Sequence, residues 1–249
     1  MPRRDSPAVD ALYADLIRAG EAAPARIAEI LAEHDPDEET LLGVLHRALP
    51  IHALEHVART PPWSERSRVL SAVVLNPKSP PRLSLPLVPS LLWRSLADVA
   101  VSPRVPSAVR LRAEAVLKDT LPELRLGERI TLGRLATTPV LLGLLVDPDP
   151  RVLESCLQNP RLRETDLAGV LRRPETTVAL IEAVAASSRW RRSYAVKLEL
   201  ALQPRAPLGV ALGQLSSLTR RDLVRVSQTP GLVALVKMAA LRVADEKKS

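Results

Sequence analysis

The residues best suited to chemistry in this 249-residue chain are His52, Glu55 and His56. They stand in the run His52-Ala-Leu-Glu55-His56. On a helix, histidines four apart share one face. The His-x-x-Glu-His order also matches the inverted zinc-protease signature, in which the glutamate serves as base. A third carboxylate would have to come from far downstream, with Glu123 or Glu128 as candidates. Two observations weigh against a metal centre. The same five positions recur as Ala179-Leu-Ile-Glu182-Ala183, which keeps the glutamate and drops both histidines. The chain also lacks the strand patterns that carry substrate in that class. A helix without zinc is the expectation.

Other reactive patterns are missing. Every histidine lies before residue 57, so no Ser/His/Asp or Cys/His set can be assembled around Cys156. That single cysteine rules out an intramolecular disulfide framework and any cysteine-based zinc or iron–sulfur site. It sits in an apolar helical run and reads as a small buried hydrophobe. Gly127, Gly133 and Gly143 are isolated on helices and make no phosphate loop. The chain is expected to be no enzyme and to need no cofactor.

One polar cluster could still meet a ligand. Arg189-Trp190-Arg191-Arg192-Ser193-Tyr194 interleaves arginines with aromatics, a pattern that neutralises phosphate and stacks on bases. Arg172, Arg173, Arg205, Arg220 and Arg221 could extend it into a basic track for an anionic partner.

The elements that must position these residues repeat. Trp63 through Leu75-Asn76-Pro77 to Pro80 is matched by Trp190 through Leu202-Gln203-Pro204 to Pro207, at an offset of 127 without a gap. The register holds at Glu55/Glu182, Val57/Val184, Arg94/Arg221, Pro103/Pro230 and Ala113/Ala240. A shorter match, Thr40-Leu-Leu-Gly-Val-Leu against Thr165-Asp-Leu-Ala-Gly-Val-Leu, is offset by 126 at Gly43/Gly169 and starts the duplication near residue 38. A fixed internal period marks a repeat architecture. Because Trp63 and Trp190 recur amid different charges, they read as framework, as do Pro77, Pro160 and Pro204. Function is then to be sought where the copies differ: Arg189, Arg191 and Arg192 against Pro62, Ser64 and Glu65.

Composition agrees with stacked helices. Apolar residues make up 46% of the chain, without Phe and with arginine favoured over lysine, a bacterial-type composition. Nine Gly are few, and the 23 Pro mostly fall between helical stretches, at first turns or stops. Apolar spacing predicts helices over residues 6–19, 24–34, 50–59, 63–75, 94–101, 107–118, 208–215 and 231–244. Pro86 and Pro89 should kink or shorten the helix after Pro80. Val146 is counted among the apolar positions facing inward, and Leu111 is one of the apolar residues of the helix over 107–118. The net charge of +7 is uneven: −5 over residues 1–60, +5 over 61–120 and +7 over 121–249. No leader and no membrane span are expected, and a cytoplasmic protein is the reading.

Asp147-Pro-Asp-Pro-Arg-Val152, opening a helix, resembles HEAT repeats, and helices ending in Asn76-Pro77 or Asn159-Pro160 resemble leucine-rich-repeat variants. The resemblance covers about residues 35–245. It implies an all-α fold, a right-handed α-solenoid of roughly eight antiparallel helical hairpins. Residues 1–34 would cap it, 38–114 and 164–241 would be the duplicated units, 115–163 would link them, and 246–249 would be a polar tail. Some solenoids related to HEAT repeats are alkyl-purine DNA glycosylases, but no Trp–Asp pair resembling their base-contacting site is present. The expected function is a non-enzymatic scaffold or adaptor binding a protein partner. The alternatives are nucleic-acid binding by the basic C-terminal half and, remotely, a zinc enzyme at His52, Glu55 and His56.

Overall fold

The computed structural model describes residues 6–20 and 24–247. They are all-α: seventeen helices with no strand among the described residues. The chain divides into two compact units, one through Thr120 and one from Leu121. This boundary falls within the stretch expected to link the duplicated copies.

The first unit holds α1 (Pro7–Ala19), α2 (Pro24–His34), α3 (Glu38–Leu45), α4 (Ile51–Arg59), α5 (Ser67–Leu75), α6 (Pro81–Leu87), α7 (Trp93–Val101) and α8 (Ser107–Thr120). Helices α1, α3, α5 and α7 pack in succession as one layer. The other layer joins α2 to α4 and α6 to α8. The second unit holds α9 (Leu126–Leu135), α10 (Thr138–Leu144), α11 (Pro150–Leu157), α12 (Glu164–Leu171), α13 (Val178–Ala186), α14 (Tyr194–Leu202), α15 (Leu208–Leu215), α16 (Arg220–Gln228) and α17 (Ala234–Glu246). There α10, α12, α14 and α16 form one layer, and the other joins α9, α11 and α13, then α15 and α17. Each unit is thus a repeat-like double layer of the kind found in α-solenoids.

The internal match is structural as well as sequential. Helices α4 and α13, α5 and α14, and α7 and α16 begin and end at positions 127 apart, and α3 and α12 at positions 126 apart. Helix α6 is one residue shorter than α15, because Pro86 lies inside it and the chain continues as a 3-10 turn from Val88 to Ser90. Residues Trp63–Glu65 and Trp190–Arg192 are 3-10 turns rather than the first turn of the expected helix. Several helix starts are specified locally. Asp37, Asp149, Thr177, Ser193 and Thr219 accept from N–H groups of the first turn, and Pro7, Pro81 and Pro150 occupy first positions. Val146 is exposed, contrary to the inward expectation, and so is the apolar Leu111. Leu111 lies on α8 outside its buried Val109, Ala113 and Leu117, and Val146 lies in the turn after α10.

Candidate functional site

The zinc-like triplet is not assembled into a centre. On α4, His52 Nδ1 lies 3.5 Å from Glu55 Oε2, and Glu55 is drawn off by Arg82 at 3.3 Å. His56 Nε2 is 3.5 Å from Thr60 Oγ1. No group of three His, Cys, Asp or Glu side chains suited to a metal occurs among the described residues. Glu128 instead accepts from its own N-cap amide, Arg125 N–H, at 2.8 Å. Cys156 is buried between apolar helices, and that burial pushes its thiol up to about 12.

Around Pro77, Pro160 and Pro204, the residue before the proline carries the interaction. The prolines are exposed, whereas Asn76, Asn159 and Gln203 are buried. A residue before proline is driven to extended backbone, so the helix stops there and its side chain is free to turn across. Asn76 Nδ2 donates to Leu45 O and Arg47 O, both at 2.7 Å. Asn159 Nδ2 donates to Gly133 O at 2.9 Å and Ala136 O at 3.2 Å. Gln203 Nε2 donates to Leu171 O and Arg173 O. Each amide oxygen also accepts the N–H two residues on, from Lys78, Arg161 and Arg205. At the last helix Lys247 Nζ plays the same part, on Ser216 O and Leu218 O. The final carbonyls of a helix lack intrahelical partners. In each unit the next helix of the same layer supplies them.

The eight candidate arginines fall into two kinds. Arg172 grips the buried Glu199 through Nε and Nη2 at 2.9 and 2.7 Å, Arg205 donates to Glu175 O at 3.2 Å, and Arg189 donates to three carbonyls. Arg173, Arg191, Arg192, Arg220 and Arg221 are exposed, and their guanidinium groups make no hydrogen bond or ion pair among the described residues. They do not form one track. Arg172, Arg173 and Arg205 meet around Gln203, at the C-terminal ends of α12 and α14. Arg191, Arg192, Arg220 and Arg221 sit at the N-terminal ends of α14 and α16, which Tyr194 links by accepting from Thr219 N–H at 3.0 Å and donating to Asp222. A nine-residue helix separates these ends by about 13 Å. The Tyr194 hydroxyl, with Thr219, holds the Asp222 carboxyl below its ordinary range.

The clearest concavity occurs twice, once in each unit. In the second unit a cleft of about 490 Å³ lies between α11 and α13, lined by Glu154, Leu157, Gln158, Ala183, Ser187 and Arg189. In the first unit a cleft of about 580 Å³ between α2 and α4 is lined at the matching positions by Ala28, Leu31, Ala32, His56, Thr60 and Pro62. Their contents differ. In the second, Arg189 Nη1 donates to Leu157 O at 3.3 Å and Asn159 O at 2.8 Å, Nη2 donates to Leu162 O at 3.0 Å, and the guanidinium lies 4.3 Å from the Trp190 ring centre. Trp190 is 4% exposed and its indole N–H donates to Leu157 O at 2.9 Å. In the first, Pro62 replaces the arginine, Trp63 is only half-buried, and Asp35, Asp37 and Glu38 join the wall.

The copies differ again on their last helices. On α17, Leu235, Met238 and Leu241 are 47%, 61% and 48% exposed, where α8 carries Ala108, Leu111 and Glu114. Leu235 and Met238 border an open hollow of about 420 Å³ with Leu212 and Ala239. No described helix is long and apolar enough to cross a membrane. Among known proteins, no family model matches this chain, and neither does any curated protein or solved structure.

Proposed function

We propose that this protein is a non-enzymatic interaction scaffold, a HEAT-like or leucine-rich-repeat-variant helical array that docks a protein partner and works in the cytoplasm. The observation that supports this reading is the apolar stripe of Leu235, Met238 and Leu241 on α17. Three large apolar side chains at helical spacing, nearly half exposed or more, are costly in water unless something covers them. The matching face of α8 is less apolar, so the stripe is not demanded by the repeat framework.

The test is a variant carrying Leu235→Glu, Met238→Glu and Leu241→Glu, first checked for unchanged helical circular dichroism. A protein captured by the unaltered chain should be recovered at least tenfold less by the variant. Equal recovery by both would remove this face from the reading. A second reading is favoured by the four unpaired guanidinium groups of Arg191, Arg192, Arg220 and Arg221, which share the N-terminal ends of α14 and α16. They would take a nucleic-acid backbone. Retardation of mixed DNA or RNA at about 50 mM salt, falling steeply as salt rises, is its signature.

A further inference from the structure

The two matching clefts differ at one position, Arg189 in the second unit and Pro62 in the first. In the second unit the cleft holds an arginine. Arg189 reaches it from the turn after α13, spreads its guanidinium over an indole, and gives N–H groups to carbonyls at and just beyond the end of α11. That is a complete guanidinium site. It offers an aromatic face, a fan of acceptor oxygens and the negative end of a helix dipole.

The first unit keeps the walls but has no arginine at the position of Arg189; the arginine that lines it, Arg66, comes from the turn before α5. Pro62 stands at the position of Arg189 and has no donor to offer. Trp63 keeps the indole, half-buried at the cleft. Of the last four carbonyls of α2, only Leu31 O receives a hydrogen bond among the described residues, from Asp35 N–H at 3.1 Å. The wall has also become acidic. Glu38 is balanced by Arg66 at 2.9 Å and Arg68 at 3.2 Å, and Asp37 caps α3. Asp35 is exposed and makes no ion pair among the described residues. The guanidinium of Arg66 lies over Trp63, 5.1 Å from the ring centre, and is paired with Glu38.

We propose that the first-unit cleft, between α2 and α4 and lined by Trp63 and Asp35, is a receptor for an arginine side chain supplied by a partner protein. The inference rests on the scaffold reading and names the chemistry of one partner contact, on a surface separate from the α17 stripe. Arginine fits better than lysine. A planar guanidinium can stack on an indole while its edge reaches several carbonyls, as Arg189 does, whereas an ammonium offers one point charge.

The test uses the full chain labelled with nitrogen-15 and follows the three indole N–H signals, from Trp63, Trp93 and Trp190, assigned by single Trp→Phe variants. The probe is N-acetyl-argininamide, with the lysine and citrulline analogues at matched ionic strength. The Trp63 signal should shift to saturation with a Kd of about 1–10 mM, the range of a single weak contact. The lysine analogue should bind at least about fivefold more weakly, and neutral citrulline should leave the signal in place. Asp35→Asn should weaken the arginine response about two- to fivefold, the size of one exposed charge at a helix C-terminus. In Arg189→Ala, which empties the second cleft, the Trp190 signal should acquire the same response. An unsaturable Trp63 response, or an equal shift with citrulline, would overturn the proposal. So would indifference to Asp35→Asn or a silent Trp190 in Arg189→Ala. The probe needs no partner. If it fails while the α17 variant still loses its captured protein, only the arginine assignment falls.

Discussion

Asn159→Ala removes one side chain whose three hydrogen bonds can be followed individually. Its amide donates to Gly133 O and Ala136 O, and its oxygen accepts Arg161 N–H at 2.8 Å. A typical intramolecular hydrogen bond contributes about 1 kcal/mol net, and a buried acceptor left without a partner costs about 1–3 kcal/mol. Arg161 is exposed, so its N–H can turn to water. Gly133 and Ala136 are buried, so their oxygens cannot do so fully. The loss should therefore be about 3–4 kcal/mol. For a unit of this size each kcal/mol moves Tm by roughly 3–5 °C, giving a fall of about 10–15 °C in the transition of the second unit. The assay is urea and thermal unfolding followed at 222 nm, with two transitions allowed because the chain has two units. Gln158→Ala is the control. Gln158 is adjacent and exposed, bonds only Glu154 at 3.3 Å, and should shift stability by less than about 0.5 kcal/mol. Asn159→Asp adds a second signature. It keeps the acceptor for Arg161 but turns a carboxylate toward two carbonyl oxygens, which raises that carboxyl's folded-state pKa. Its deficit should be largest at neutral pH and shrink on acidification as the group protonates. If Asn159→Ala and Gln158→Ala behave alike, the amide link between helices of one layer contributes nothing and the reasoning fails.

Other outcomes follow from the same structure. Cys156, with its thiol pushed up to about 12 by burial, should resist iodoacetamide at pH 8 in the folded protein and react within minutes in urea, as mass spectrometry can record. Arg172→Ala strands the carboxylate of Glu199, which is 6% exposed, and should lower Tm clearly more than Arg173→Ala; adding Glu199→Gln should restore part of the loss. Asp37, Asp149 and Asp222 are held below the ordinary carboxylate range, by the Thr40 hydroxyl and N–H, by Arg151, and by the Tyr194 hydroxyl with Thr219. Their stabilisation is fully present above the unfolded-state value near 4 and is lost as pH falls through the lowered folded values. Acid titration of stability should show that decline, and Tyr194→Phe should move the Asp222 carbon-13 titration upward.

The helical fold was legible because aliphatic spacing and proline stops are local signals, and the offset between Trp63 and Trp190 exposed the duplication directly. What sequence reasoning missed was next to what it noticed. The prolines at 77, 160 and 204 drew attention, yet the buried Asn76, Asn159 and Gln203 before them make the contacts. The signal was present as a polar amide closing an apolar run, but its partners lie 23 to 32 residues upstream, where spacing gives no hint. The arginines were legible as a cluster in composition and not as a surface. Which guanidinium is spent on Glu199 or on helix carbonyls, and which is left exposed, depends on how neighbouring helices stack. The paired clefts stayed hidden for the same reason. Their walls come from α2 with α4 and from α11 with α13, helices that do not adjoin in the chain, and the exchange of Pro62 for Arg189 has meaning only once both walls are seen.

The side-chain links between helix ends also set an order in time. The carbonyls closing α12 are satisfied by Gln203, about 30 residues later, and those closing α15 by Lys247, a similar distance on. A chain emerging from a ribosome at about 5–20 residues per second reaches those partners roughly 2–6 s after the helix itself appears. Helix formation takes microseconds or less. Each newly made turn therefore waits, formed but unsealed, for its successor to arrive. Synthesis would then lay down this protein like courses of brick, each one set only when the next is placed on it.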